Sequence, residues 1–440
     1  MLIYAGRSPK SMQTALNHIS LWIVMPMLLI FFAGLGAQGA SAQELFPLTL
    51  QEAEELALYD EPGRNSFLHR AAALRDKSVE GGQLPDPTMR IGMANFPIQS
   101  GGFTTEGMTQ AQLAIRQVFP GGNTRELTTK KIRTLSDEMT QKANSRGRDV
   151  LTAVRIAWLQ THYWGEAHQI ALESRPFFDD LVTITRSLYS VGRKSQQDVL
   201  RADLELRRLD DRIIDMGKQH ARARAALSQW VGAESERPVA TKLPGWTAVP
   251  PLEVLRTDLR AHPAMLAADA NVDASVVNID LAEQEYKPGW ALDLGYGYRD
   301  GYLSNGQPRS DFVSLSVTVN LPIFRAKRQD KSVGAALSQR RAADQSREEL
   351  LRRLTSQLES EYVRWQDLGR RLALYEEMIL GVSADNAEAA LAAYQSDTGD
   401  FADAMRGYAD DLDTRLDYIR LQVERAQSYA VLANFGGIPR

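Results

Sequence analysis

Between Val199 and Trp230 the apolar positions advance by three and four without a break: Val199, Ala202, Leu206, Leu209, Ile213, Met216, His220, Ala223, Leu227 and Trp230. This is the heptad alternation, which narrows a helix's apolar surface to one stripe and turns it toward partner helices. Two more runs repeat it. One passes through Trp365, Leu368, Leu372, Tyr375, Ile379, Val382, Asn386, Ala389 and Ala393; the other through Met405, Ala409, Leu412, Leu416, Ile419, Val423, Ala426, Ala430 and Ala433. The opposite faces carry charge, as at Arg201, Glu205, Arg208 and Arg212, so these helices sit beside water. Helical character also runs from Asn123 to Tyr189, a length of roughly 100 Å at 1.5 Å per residue, with Pro176 placed to kink it.

Short segments of a different period interrupt the helices. Val313, Leu315, Val317, Val319 and Leu321 alternate with Phe312, Ser314, Ser316, Thr318 and Asn320. Trp290, Leu292, Leu294, Tyr296 and Tyr298 alternate with Ala291, Asp293, Gly295, Gly297 and Arg299. Weaker counterparts lie near 88–96 and at 109–119, where Ala111, Leu113 and Ile115 face away from Gln110, Gln112, Ala114 and Arg116. A period of two with one apolar face is a half-buried strand. Burial under a helix or a second sheet is one solution, but the helices are committed to their own seams. Strands of about ten residues with aromatic ends (Trp290, Tyr302, Phe312, Phe324, Phe96, Phe103 and Phe119) and a polar inner face also describe a membrane barrel. Asp293 and Arg299 would then face its lumen. A sheet in lipid must close, and about eight strands is the practical minimum for that. Four strands per chain therefore require several copies around one barrel.

Both strand pairs end at a proline that opens a long helix, "QVFPGGN" at 117–123 and "VNLPIFR" at 319–325. Pro120 and Pro322 remove a backbone donor and fix φ at the crossing, and Gly121 and Gly122 let the chain bend. Other landmarks repeat in order. Pro62 and Pro263 lie 201 residues apart, as do Pro87 and Pro288, and Tyr189 and Asp198 pair with Tyr394 and Asp403. The chain reads as a duplicated unit: 43–245 (helix, strand pair 88–119, helical hairpin 122–231) and 246–440 (helix, strand pair 289–322, hairpin 326–434), joined by a Pro- and Gly-Trp-containing hinge at 236–251.

Residues 1–42 precede this plan. Arg7, Lys10 and His18, an apolar run from 21 to 36, and Ala40-Ser41-Ala42 have the order of a secretory signal cleaved after Ala42. The 440 residues are 24% charged with a net charge of −4, which gives no basic excess for nucleic acid, and there is no cysteine for a disulfide, thiolate site or lipoprotein anchor.

At this point the chain resembles the outer-membrane factor family, the TolC-like ducts of tripartite efflux and type I secretion systems. The residues that carry the resemblance are "LTLQEAEELALYDEP" (48–62), the two crossings "QVFPGG" and "VNLPIF", and the tips "YSVGRKSQQDVLRADLELRRL" (189–209) and "YQSDTGDFADAM" (394–405). The resemblance implies a homotrimer in which three chains share a twelve-stranded outer-membrane β-barrel above a helical barrel in the periplasm. It also implies an adaptor protein, an inner-membrane pump and outer-membrane lipid as partners. In the family, aspartates just past the second tip line the periplasmic aperture. Asp397, Asp400 and Asp403 fall there, with Asp198 the first-half counterpart, and trimerisation turns such residues into rings that select cations. Asp403 matches by spacing from Tyr394, but the next acidic position is Arg406, which leaves open whether the ring is single or double. The bland alternative is charge favoured near a helix amino terminus. The tips Val191, Gly192, Arg193 and Lys194, with Thr398 and Gly399, match where the family meets its adaptor. Gly192 and Gly399 are first of all turn glycines.

No nucleophile elbow, phosphate loop or zinc spacing is present, so no enzyme, cofactor or metal is expected. His162 and His168 do not share a helix face well, His220 sits on a seam, and Trp158 and Trp164 read as packing residues. The function expected is a passive exit channel for small molecules or ions. The alternatives are a type I protein-secretion duct and, in another class, a soluble periplasmic coiled-coil scaffold.

Overall fold

The computed structural model describes residues 46–436; the segment 1–42 read as a signal peptide lies outside the described residues. The long helix anticipated after Asn123 is α3, Thr124–Ser190, which runs through Pro176. It is preceded by α1 (Leu50–Leu58), α2 (Pro62–Gly81) and the strands β1 (Thr88–Ala94) and β2 (Gln110–Phe119). A five-residue turn leads to α4, Gln196–Val231, whose Ser195 and Asp198 cap each other's backbone N–H groups. Arg175 pairs with Asp210 at 2.7 Å and Arg186 with Asp203 at 3.7 Å, so α3 and α4 run antiparallel. The seam residues Ala202, Leu206, Leu209, Ile213, Met216 and Leu227 are buried in one core with Val154, Trp158, Phe178, Leu181 and Val182 of α3, and Ala223 is buried as well.

The same element order follows again: α5 (Leu252–Asp258), α6 (Pro263–Gln284), β3 (Trp290–Tyr298), β4 (Phe312–Val319), α7 (Gln329–Leu374), α8 (Leu380–Gln395) and α9 (Phe401–Phe435). The paired prolines have a shared job. Pro62 and Pro263 each open a helix, where the missing N–H costs nothing. Glu61 before Pro62 caps α2 and binds Arg146 at 2.8 Å, which keeps a nearly buried carboxylate paired. The four strands form one antiparallel sheet in the order β1-β2-β3-β4.

Two features differ from the sequence reading. Between α7 and α8 the helix makes a π turn, Tyr375–Ile379. A π turn holds one residue more than an α turn and shifts the phase of everything after it. Leu368 and Leu372 are buried as the seam requires, but Val382 is 65% exposed and Asn386 and Ala389 are also exposed. One position later the packing resumes: Ala387 and Tyr394 are buried, Ser383 and Ala390 are half-buried, and Ser383 Oγ meets Thr414 Oγ1 of α9 at 3.2 Å. The third seam is therefore correct up to Tyr375 and one residue out of register beyond Ile379.

The second difference is the hinge. Residues 236–251 pack along the helices as ordered chain: Leu48 N–H donates to Pro238 O, Ala240 N–H donates to Leu48 O, and Trp158 Nε1 donates to Leu48 O at 3.0 Å. Trp246 stacks on Tyr429 of α9 at 4.7 Å, and Arg155, paired with Glu54 at 2.6 Å, lies over the Trp246 ring. Among the described residues no helix is long and apolar enough to cross a membrane.

Candidate functional site: the sheet, the crossings and the hairpin tips

The register of the sheet sorts its side chains by row. Thr88, Arg116, Asp293 and Ser316 stand abreast across the four strands, and the next row is Met89, Ile115, Leu294 and Leu315. Arg90, Ala114, Gly295 and Ser314 follow, then Ile91, Leu113, Tyr296 and Val313. In these rows one face is polar or small and the other apolar or aromatic. Asp293 lies on the polar face, 3.8 Å from Arg116. Among the described residues nothing covers the apolar face: Ile91 is 74% exposed, Leu315 68% and Val317 59%. The outer edges of β1 and β4 have no strand partner among the described residues, and unpaired edges of this kind are templates for further strands.

Arg299, expected in the lumen, makes its contacts between the loops. It falls just past the end of β3, lies over the Phe312 ring at 3.7 Å, and donates to Ser310 O at 2.7 Å and Gly107 O at 3.1 Å. Arg309 likewise donates to Thr104 O and Glu106 O, at 3.1 and 3.2 Å. The two arginines lace the β1–β2 loop to the β3–β4 loop through backbone carbonyls. Strand alternation alone could not reveal this, because it does not say where the strand stops.

At the crossings the glycines act for distinct reasons. A Cβ on Gly121 would lie 2.4 Å from Lys287 O, so only glycine lets β2 pass the end of α6. Gly122 has φ +57, the left-handed region that glycine enters freely. Pro120 and Pro322 flank a cavity of about 860 Å³ together with Gln284, Asn320, Arg328 and Gln329.

The two hairpin tips meet. Gly192 supplies the left-handed residue of the first tip, φ +76, but in the second tip that position is Asp397, φ +64. Gly399 is needed for a different reason: its Cβ would lie 2.9 Å from that of Ala393 and 3.2 Å from the Ala393 carbonyl carbon. Aspartate is among the few residues that tolerate the left-handed region. Lys194 Nζ lies 2.7 Å from Asp397 and Arg193 3.8 Å from it, and the hydrogen bond from Lys194 holds the Asp397 carboxyl below its ordinary pKa. Lys194 also covers the ring of Tyr394, which is fully buried and bonded to Thr185 at 3.3 Å. Val191 is 68% exposed and Thr398 Oγ1 donates to Ala393 O at 3.2 Å.

The acidic residues accordingly divide. Asp397 is engaged by two cations and Asp198 by the Ser195 cap. Asp400 precedes the first residue of α9 without a side-chain capping bond, and Asp403 is exposed, 3.4 Å from Arg406. Elsewhere, His162 is a core residue. It stacks on Trp158 at 5.6 Å, its Nδ1 is 3.2 Å from Ala240 O, and burial lowers its pKa. His168 and His220 sit reciprocally over Gly217 and Gly165, each Nε2 about 3.5 Å from the position a Cβ would occupy. The signal for that pairing was present as a Gly three residues before each His.

Comparison with known proteins places this architecture. Residues 254–437 match the profile of the family described as outer membrane efflux protein. The chain superposes on the CusC channel structure with a TM-score of 0.77 at 14% identity, covering 90% of this chain and 94% of that one. Its fold is that of the TolC-like outer-membrane channels. The outer-membrane channel OprN gives a TM-score of 0.73 at 18% identity over 88% of this chain and 90% of that one. VceC of Vibrio cholerae gives 0.73 at 14% identity, over 88% and 96%. Among curated proteins, Protein CyaE of Bordetella pertussis is 26% identical over 422 residues, 91% of this chain and 86% of that protein. Residues 254–437 thus match the family model, and the superpositions show the shared fold across about nine tenths of the chain.

Proposed function

We propose that the protein is the outer-membrane exit channel of a tripartite efflux pump, a passive conduit assembled from three copies with its helical tunnel in the periplasm. The observation that carries this is the sheet: four strands sorted row by row, an uncovered apolar face, and two unpaired edges. Lipid satisfies the face, and neighbouring copies satisfy the edges by joining β4 of one to β1 of the next. The helices support the same assembly. Leu200, Leu204 and Ile214 on the outside of α4, with Leu374, Met378 and Val382 around the π turn, form exposed apolar stripes beside the filled seams. The family and fold are those of channel proteins, and no catalytic constellation is invoked.

Each copy contributes two repeats, 43–245 and 246–440, and the gate is assigned to Asp400 and Asp403, with Arg406 offsetting part of their charge. Asp397 and Asp198 serve the tips themselves rather than the aperture. The exposed tip residues Val191, Arg193 and Gly192, with Thr398 and Gly399, are the surface offered to a periplasmic adaptor bound to an inner-membrane pump. The test is purification from detergent-extracted membranes followed by mass determination and conductance in planar bilayers. A trimer that conducts cations preferentially, and loses that preference in Asp403→Asn, supports the proposal; a soluble, detergent-free monomer overturns it.

A further inference from the structure

The outward row of β4 does not end with the strand. Leu321 is 70% exposed, and Ile323 and Phe324 beyond it are 70% and 79% exposed. Cations follow at once: Arg325, Lys327, Arg328 and Lys331, against Asp330 as the one acid between 325 and 331. Asp330 is occupied by the Tyr286 hydroxyl at 2.5 Å. Arg325 rests its Nε on Pro322 O at 3.0 Å and its guanidinium over the Tyr286 ring at 5.8 Å. Arg328 lines the crossing cavity, while Lys327 and Lys331 are exposed.

This placement works against the helix it precedes. Residue 328 stands at the N-cap of α7 without a side-chain capping bond, and cations near a helix amino terminus oppose its dipole. Local stability therefore does not account for the charges. An apolar surface continuous with the lipid-facing row, followed within one turn by long cationic side chains, matches the boundary between acyl chains and head groups, where Lys and Arg stems lie along apolar surface and their charges reach the phosphates. We propose that residues 321–331 form a docking surface for anionic phospholipid head groups on the tunnel side of the bilayer. Leu321, Ile323 and Phe324 sit among the acyl chains, and Arg325, Lys327 and Lys331 bind the phosphates. The inference rests on the membrane reading above and adds a lipid preference to it.

The test uses the full-length assembled protein in nanodiscs of phosphatidylethanolamine alone or mixed with phosphatidylglycerol, with retained lipid read by native mass spectrometry. Wild type is expected to enrich phosphatidylglycerol, and the triple variant Arg325→Gln, Lys327→Gln, Lys331→Gln to lose about tenfold of that preference, given the attraction each basic residue feels at an anionic surface. The single variant Lys327→Gln, which disturbs folding least, is expected to lose an intermediate part, and soluble glycerol phosphate not to compete. Equal enrichment in all three proteins, no enrichment in wild type, or full competition by glycerol phosphate overturns the proposal. If these residues are instead covered by a neighbouring copy, the triple variant will lose trimer mass without changing lipid preference, which also overturns it. Failure of the wild type to enter bilayers at all would overturn the membrane reading itself.

Discussion

Asp397 shows how one residue can hold two roles that the sequence assigns to different places. The family-like pattern offers Gly399 as the turn residue, yet the left-handed conformation falls on Asp397, whose side chain also receives Lys194 and Arg193. A Gly two residues downstream hid this, because nothing in composition tells a glycine required for close approach from one required for positive φ. The two functions separate by substitution. Asp397→Gly keeps the backbone and loses the ion pair, whereas Asp397→Ala loses both, since alanine enters the left-handed region only with strain. Hydrogen exchange at residues 393–399 is expected to rise modestly in the first and clearly more in the second. A second prediction concerns His162. Its burial lowers the folded pKa below the ordinary value of 6.5, so the unfolded chain takes up the proton first. The stability it contributes is present above pH 6.5 and is lost as pH falls through the folded value. His162→Phe is expected to flatten the fall in unfolding midpoint between pH 7 and 5; an unchanged slope would assign that fall to other groups, among them His262 and His220, whose pKa values burial also lowers.

The elements were legible to the extent that their periods were unbroken. The α4 seam could be read residue by residue because ten positions share one phase, and the strand faces because rows of one class recur. The π turn was not legible. Its extra residue leaves the sequence with two overlapping three-four patterns after Ile379, one through Val382 and Asn386 and one through Ser383, Ala387, Ala390 and Tyr394, and only packing against α9 chooses between them. A deletion experiment follows. Removing exposed Met378 from the π turn should restore plain α-helix and leave Ala387 and Tyr394 facing α9, with little change in thermal stability. Removing exposed Asp385 from α8 should rotate Ala387 and everything up to the tip by about 100° and lower the unfolding temperature sharply. At the same contact a Cβ on Gly407 would approach Ala387 Cα to 3.0 Å, so Gly407→Leu is expected to cost about 1–3 kcal/mol by overpacking, measured by chemical unfolding.

For the whole molecule, the two faces of the sheet make opposite demands that mutation can expose. In the proposed barrel Leu315→Lys places a charge on the row assigned to lipid and is expected to destabilise the inserted state by about 2–4 kcal/mol near the bilayer midplane, whereas Ser316→Lys, one residue on, points to the polar face and should be tolerated. Heat-modifiable migration of the assembled protein distinguishes them. The arginine lacing between the outer loops was beyond sequence reading for a related reason. Arg299 and Arg309 bind carbonyl oxygens, which every residue possesses, so no pattern of side chains announces the contact. The unpaired margins of β1 and β4 have a genetic consequence. In the proposed assembly no copy seals its own ribbon, so a chain with a proline set into either margin would still fold its helices and join the ring, then leave a gap that its neighbours cannot repair. Such a variant should spoil transport in cells that also make the normal protein.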